Sequence, residues 1–251
     1  MQNRLRFVFA LMFVSAGAVF AQAPQRGAVP QRTPKAQAPI DLTGYWVSIV
    51  TEDWRYRMVT PAKGDTASVP LNGEGRRVAN EWDPAKDEAA GNSCKAYGAG
   101  GLMRLPTRLH ITWDGDNALK VETDAGTQTR ELRFGAPAAA EPSLQGTSVA
   151  TWDGLAAPGR GGAAPAPRGS LKVVTTNLKP GYLRKNGVPY SDKTTVTEYY
   201  DVVTEPDSVQ WLILQTTVED PVYLTGPFIT STHFRRQADS AGWAPSPCSA
   251  R

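Results

Sequence analysis

The sequence predicts an all-β domain, and three observations carry that prediction: short β-rich runs, turn residues between them, and no alternation of strands with helices. Runs at 43–49 (TGYWVSI) and 54–60 (WRYRMVT) open the domain. Those at 108–113, 119–124 and 128–134 follow, separated by Asp-Gly-Asp-Asn and by Ala-Gly. Such separators suit hairpins, because Gly and Asn accept the positive φ that tight turns demand. Further runs at 148–152, 170–176, 194–203, 209–219 and 228–235 bring the total to about ten, with the spacing of a barrel or a sandwich. The missing βαβ alternation argues against a parallel doubly wound sheet.

Two stretches interrupt the pattern. Residues 71–90 (LNGEGRRVANEWDPAKDEAA) place Val78 and Trp82 four apart, with Asn72 and Asp83 positioned as N-caps, which predicts one or two short helices. Residues 154–169 (GLAAPGRGGAAPAPRG) are low in complexity and hold nothing suited to a core, so a mobile surface loop is expected. Strand alternation favours closure. In 194–203 neither face is cleanly polar, and in 209–219 Trp211 and Ile213 oppose Leu212 and Leu214. Both faces of these strands are therefore expected to be covered, as around a filled barrel.

Arg4 and Arg6 precede an apolar run from Phe7 to Phe20, and Val19 and Ala21 satisfy the small-residue exit. Residues 1–21 therefore read as a signal peptide, implying a periplasmic or secreted protein. The run falls short of the roughly 20 residues of a membrane-crossing helix, and no later segment supplies one. Residues 22–39 (QAPQRGAVPQRTPKAQAP) read as a flexible tether, leaving 40–251 as the folded domain. The chain carries a formal charge of +3. From Ile40 onward, however, 22 basic residues face 24 acidic ones, a charge of about −2. The basic excess thus sits outside the domain, which argues against nucleic acid or an anionic membrane as partner. The two cysteines, Cys94 and Cys248, form a disulfide candidate in an oxidising compartment, against the alternative of two separate thiols.

Several chemistries lack their motifs. The two histidines, His110 and His233, are too far apart in the chain for HExxH and too few for a three-histidine zinc site, so no metal is expected. Neither a GxSxG elbow nor a complete GxxxxGK[ST] loop occurs, and the glycines at 98–101 and 159–162 fit no dinucleotide fingerprint, so no cofactor is expected. The best polar constellation is Glu198, Asp220 and His233 on late strands with Glu122 and Arg130 on an earlier hairpin. A carboxylate beside His makes an acid/base pair if both face the interior. The structural alternative is a cross-strand ion pair between Glu122 and Arg130, with His233 at the rim. His110 shares a face with Arg108 and Thr112 and suits a strand-edge role better than ligation. Residues 181–191 (GYLRKNGVPYS) form a turn-rich segment with Tyr182, Arg184, Lys185 and Tyr190. The cations there can clamp an anionic group while the tyrosines cover an apolar face, or the tyrosines simply pack on the body. Asp220 before Pro221 starts a turn. Trp46, Trp113 and Trp211 are expected in the core.

The segments DLTGYWVS at Asp41, GYLRKNGVPYS at Gly181, VTEYYD at Val196 and EDPVYL at Glu219 resemble a group of uncharacterised exported bacterial proteins over most of the mature chain. Where that wider pattern carries Arg and an aromatic after its Thr-Glu, this chain has Tyr199 and Tyr200, so no role of that Arg carries over. The resemblance implies an antiparallel lipocalin-like barrel of about 8–10 strands and brings no activity with it. The leading expectation is an exported barrel binding a small, partly apolar molecule at its mouth. An acid/base enzyme using Glu198 and His233 is the second reading, and a structural or partner-binding envelope protein the third.

Overall fold

The computed structural model describes residues 32–136, 139–154 and 169–251. The expected signal peptide at 1–21, the first part of the tether and nearly all of the loop at 154–169 lie outside them.

Among the described residues eleven strands form: β1 (Gly44–Ile49), β2 (Arg108–Asp114), β3 (Ala118–Thr123), β4 (Thr129–Phe134), β5 (Thr147–Asp153), β6 (Ser170–Thr176), β7 (Gly181–Arg184), β8 (Val188–Tyr190), β9 (Thr195–Thr204), β10 (Gln210–Glu219) and β11 (Phe228–Gln237). Nine close a barrel in the order β1-β11-β10-β9-β6-β5-β4-β3-β2, and β7 and β8 pair as a separate hairpin. β1 completes the ring, since Trp46 lies opposite Arg236 of β11 on one side and Leu109 of β2 on the other. The all-β barrel expected from the hairpin spacing is therefore present, with one departure from antiparallel pairing. β4 and β5 run parallel, Leu132 opposite Ser148 and Phe134 opposite Ala150. The chain must return to its starting end between them, and a bridge between Ser143 and Leu178 pins that return.

Side chains that alternate inward fill the barrel. Trp46, Leu109, Ile111, Leu119, Val121, Leu132, Leu171, Val173, Tyr200, Leu212, Leu214 and Phe234 are buried in one cluster. Each stabilises the fold by about 1.5–3 kcal/mol relative to exposure. Trp211 and Ile213 stand on the outer face, half-buried beside their cross-strand neighbours Arg235 and His233. The parity of β10 thus corrects the core placement of Trp211. Trp113, half-buried, stacks with Phe134 at one end of the barrel.

The opposite end is closed by the long connections 50–107 and 177–194 together with 220–227. A second buried cluster, including Leu71, Leu183, Val188, Tyr190, Val196, Val218 and Phe228, forms the plug. Tyr190 needs room that only glycine leaves: a Cβ at Gly98 would lie 2.1 Å from its hydroxyl, and one at Gly181 2.5 Å. The expected helices are α2 (Gly73–Glu81) and α3 (Pro84–Ala89), preceded in the chain by α1 (Trp54–Arg57). Asn72 Oδ1 accepts from Gly75 N at 2.9 Å, and Asp83 Oδ1 from Ala85 N at 3.1 Å, so both caps form as read.

α1 corrects the strand expected at 54–60. Asp53 adopts φ +51°, which turns the chain away from β1, and Arg57 then reaches inward to donate to Arg104 O at 2.7 Å. Aromatic and cationic alternation mimicked a strand there, but a buried guanidinium decided the conformation. The end of the tether is likewise docked. Trp152 Nε1 donates to Pro34 O at 2.8 Å, and Lys35 N to Asp116 O at 3.2 Å.

Cys94 and Cys248 are joined in a disulfide. Beside it the C-terminal segment pairs with the 124–126 turn, Ser246 N donating to Asp124 O at 2.9 Å. Replacing both cysteines by serine should lower the unfolding free energy by about 2–5 kcal/mol, measured by urea denaturation of the variant against the oxidised wild type; an unchanged midpoint would contradict a stapling role.

Candidate functional site

The barrel interior carries a polar layer beneath the plug. Arg130 on β4 and Glu198 on β9 are both fully buried and meet in a two-pronged ion pair, Nη1 to Oε1 at 2.9 Å and Nη2 to Oε2 at 2.6 Å. Arg130 also donates to Thr175 Oγ1 at 3.2 Å, which lies 2.8 Å from Ser148 Oγ. Burial alone would lower the Arg130 pKa, but the Glu198 carboxylate outweighs it and holds the group above its ordinary range. The Tyr200 hydroxyl beside the pair is pushed up, first by burial and then by the Glu198 charge. A matched, fully desolvated pair of this kind positions strands.

Parity separates the residues expected to converge. Val121, not Glu122, lies opposite Arg130, so the expected Glu122–Arg130 ion pair does not form. Glu122 points outward, where its Oε2 lies 3.2 Å from His110 Nδ1 and 3.2 Å from Lys120 Nζ. His110 stacks on Tyr45 with ring centroids 4.2 Å apart. His233 is also on the outer face, 3.6 Å from Glu52 Oε2. It follows Thr232, which is buried in the interior that Glu198 faces. Glu198 and His233 are therefore on opposite faces of the sheet, and the acid/base pair read from the sequence does not assemble.

Asp220 is a structural hub. Its carboxylate accepts from Ser191 N and Oγ, from Thr194 Oγ1 at 2.7 Å, and from Val222 N at 2.7 Å and Tyr223 N at 3.1 Å. These bonds tie the β8–β9 connection to the turn after β10. Burial alone would raise its pKa; the hydrogen bonds, Thr194 first, outweigh that and hold it below the ordinary value of 3.8.

The remaining candidates sit around β7 and β8. Tyr182 Oη donates to Asp87 Oδ2 at 2.7 Å, while Tyr190 is buried in the plug. Neither lines the pocket that Arg184 enters. Arg184 is different. A register shift between Tyr182 and Arg184 leaves Leu183 and Arg184 both buried, as a bulge re-aims a side chain. Leu183 enters the plug, and Arg184 lines a pocket of about 170 Å³ whose wall includes Tyr56, Arg57, Met58, Val59, Arg104 and Lys185. Tyr97, Leu105 and Pro106 complete much of the remainder. The wall is pinned by Asn186 Nδ2, which donates to Ala62 O at 2.9 Å and Asp65 O at 3.0 Å.

Three arginines converge at this pocket on different terms. Arg57 pairs with Glu52 and donates to Ser48 Oγ at 3.2 Å. Arg104, only 6% exposed, reaches Asp53 Oδ2 at 2.9 Å through Nη2, but among the described residues its Nη1 has no partner. Arg184 is 4% exposed, and among the described residues none of its three guanidinium nitrogens has a partner. Its guanidinium carbon lies 4.1 Å above the centre of the Tyr56 ring. Burial, and then the like charge of Arg104, push the Arg184 pKa below its ordinary value. The sequence drew attention to Arg184 and Lys185 but gave no sign of Arg57, Arg104 or Tyr56, because segments without periodicity do not reveal which cation turns inward.

Among the described residues no group of three His, Cys, Asp or Glu side chains is placed to hold a metal ion, and no helix is long and apolar enough to cross a membrane. Fold and site together define a class: a closed β-barrel with a filled interior, plugged at one end, with a cationic pocket beside the plug. No family model matches the chain, and comparison with curated proteins also yields no match.

Two outcomes follow. Glu198→Ala strands a buried guanidinium and should destabilise by about 3–5 kcal/mol, whereas Arg130→Met with Glu198→Leu should recover most of that loss; chemical denaturation of both variants checks this. The stability supplied by Asp220 is fully present above pH 3.8 and lost as pH falls through its lower folded value, since protonation then favours the unfolded chain. Urea denaturation from pH 7 to pH 2 should show Asp220→Asn less stable by about 2–3 kcal/mol at neutral pH, with the difference narrowing in acid.

Proposed function

We propose that this is an exported binding protein that holds a small, partly apolar molecule in the pocket beside the plug. The observation that carries the reading is the wall of that pocket, where Met58, Val59, Leu105, Pro106 and Leu183 face the same space as Arg104 and Arg184. Binding sites combine apolar surface with a few fixed polar groups in this way. A filled interior argues against the ligand entering the barrel itself, so the mouth is the place for it. The size of the pocket favours a compact molecule, below the usual drug-sized range of roughly 300–1,000 Å³. Export rests on the basic, then apolar, start of the chain and on the disulfide, which persists in oxidising compartments. The resemblance to exported proteins through DLTGYWVS and GYLRKNGVPYS points the same way.

Native mass spectrometry of the protein purified from the cells that make it is expected to show a retained small molecule. Val59→Trp, placed at a position 60% exposed on the pocket wall, should expel that molecule while the protein stays folded. A species of bare polypeptide mass, in wild type and variant alike, would count against the reading.

A further inference from the structure

The geometry points to an oxyanion, a carboxylate or a phosphate, as the group that the pocket receives, with Arg184 as its principal holder and Arg104 Nη1 as a second donor. This rests on the pocket reading above and names the chemistry of its ligand. A guanidinium presents a planar fork of N–H donors matched to two oxygens. Among the described residues the whole fork of Arg184 is buried and unpartnered, and one arm of Arg104 is. Burying a charge without a partner is costly, and natural folds ordinarily pair such a group. Here the neighbouring acids are already engaged: Glu52 with Arg57, Asp53 with Arg104 and Asp65 with Arg55. None of the residues lining the pocket is acidic.

The surroundings hold the fork in place. Tyr56 covers one face of the Arg184 guanidinium, and the bulge in β7 commits the residue to the inside. Lys185 stands at the wall with its amine 5.7 Å from the centre of the Tyr97 ring, adding positive charge. Met58 and Val59 are exposed and offer apolar contact to whatever carries the anion. An acid with a small apolar body fits both halves of the wall.

The test is calorimetric titration and thermal melting of the full mature chain with three probes: benzoate, its neutral isostere benzamide, and inorganic phosphate. Benzoate, phosphate or both should bind and raise Tm in the wild type, while benzamide does neither. Binding of benzoate alone assigns a carboxylic acid, and of phosphate alone a phosphoryl compound; either supports the proposal. Arg184→Met should weaken anion binding by roughly tenfold or more and should melt no lower than the unliganded wild type, because it removes a buried unpaired charge. Arg184→Lys keeps the charge but loses the fork, and is also expected to bind at least about tenfold more weakly; it serves if the methionine variant does not fold. Equal binding of benzamide and benzoate, both lost in Val59→Trp, overturns the anion assignment and leaves the pocket reading standing. Anion binding unchanged in the Arg184 variants also overturns it. Binding of none of the probes overturns the assignment; the pocket reading falls with it only if native mass spectrometry also shows no retained molecule.

Discussion

Closure of the sheet by β1 is the constraint on which the rest of the structure depends. That strand is paired with β2 along one edge and β11 along the other, so the barrel presents no open row of amides and carbonyls. Once the ring is shut, every residue of a strand faces either in or out. The interior then accepts Trp46, Leu212 and Phe234 without exposure, and any polar group turned inward must find its partner inside.

Arg130 and Glu198 show that rule at work. They come from β4 and β9, two strands apart from adjacency in the ring, yet meet across the interior with both prongs of the guanidinium engaged. Thr175 and Ser148 extend the network. Such a pair need not stabilise the barrel more than apolar side chains of similar volume would, but it makes other pairings of these strands costly by leaving a charge unmatched. The plug above it has the opposite character: Leu183, Val188 and Tyr190 of the β7–β8 hairpin are apolar neighbours of Val196 and Val218. The cationic pocket is displaced to the seam between that plug and the connection from β1, where a one-residue bulge turns Arg184 out of the hydrophobic layer but not into solvent.

The nine barrel strands, the hairpin turns between β2, β3 and β4 and the two capped helices were legible because they depend on local chemistry: period-two alternation, Gly and Asn at turns, Asn72 and Asp83 before helical segments; β7 and β8, inside a turn-rich segment, were not. α1 was misread as a strand since Trp54, Tyr56 and Arg57 have the composition of one, and what overrode it was a tertiary contact from Arg57 to Arg104 O. At the site, Glu122 and Arg130 looked like cross-strand partners, but register places Thr129 opposite Glu122 and Val121 opposite Arg130. A one-residue difference in pairing is invisible in composition and reverses which face a side chain occupies. Asp220 before Pro221 was readable as a turn; its five hydrogen bonds, shared between two distant connections, were not.

By itself the sequence determined an all-β chain, the approximate span of its nine barrel strands and the capping of α2 and α3, because those follow from residues near one another in the chain. Tertiary structure alone decided that β4 and β5 run parallel, that Cys94 reaches Cys248, that Glu198 meets Arg130 instead of His233, and that Arg57 and Arg104 join Arg184 at one pocket. Each of those outcomes is set by contacts between segments far apart in the chain, through strand register inside the barrel and through the packing of the connections outside it.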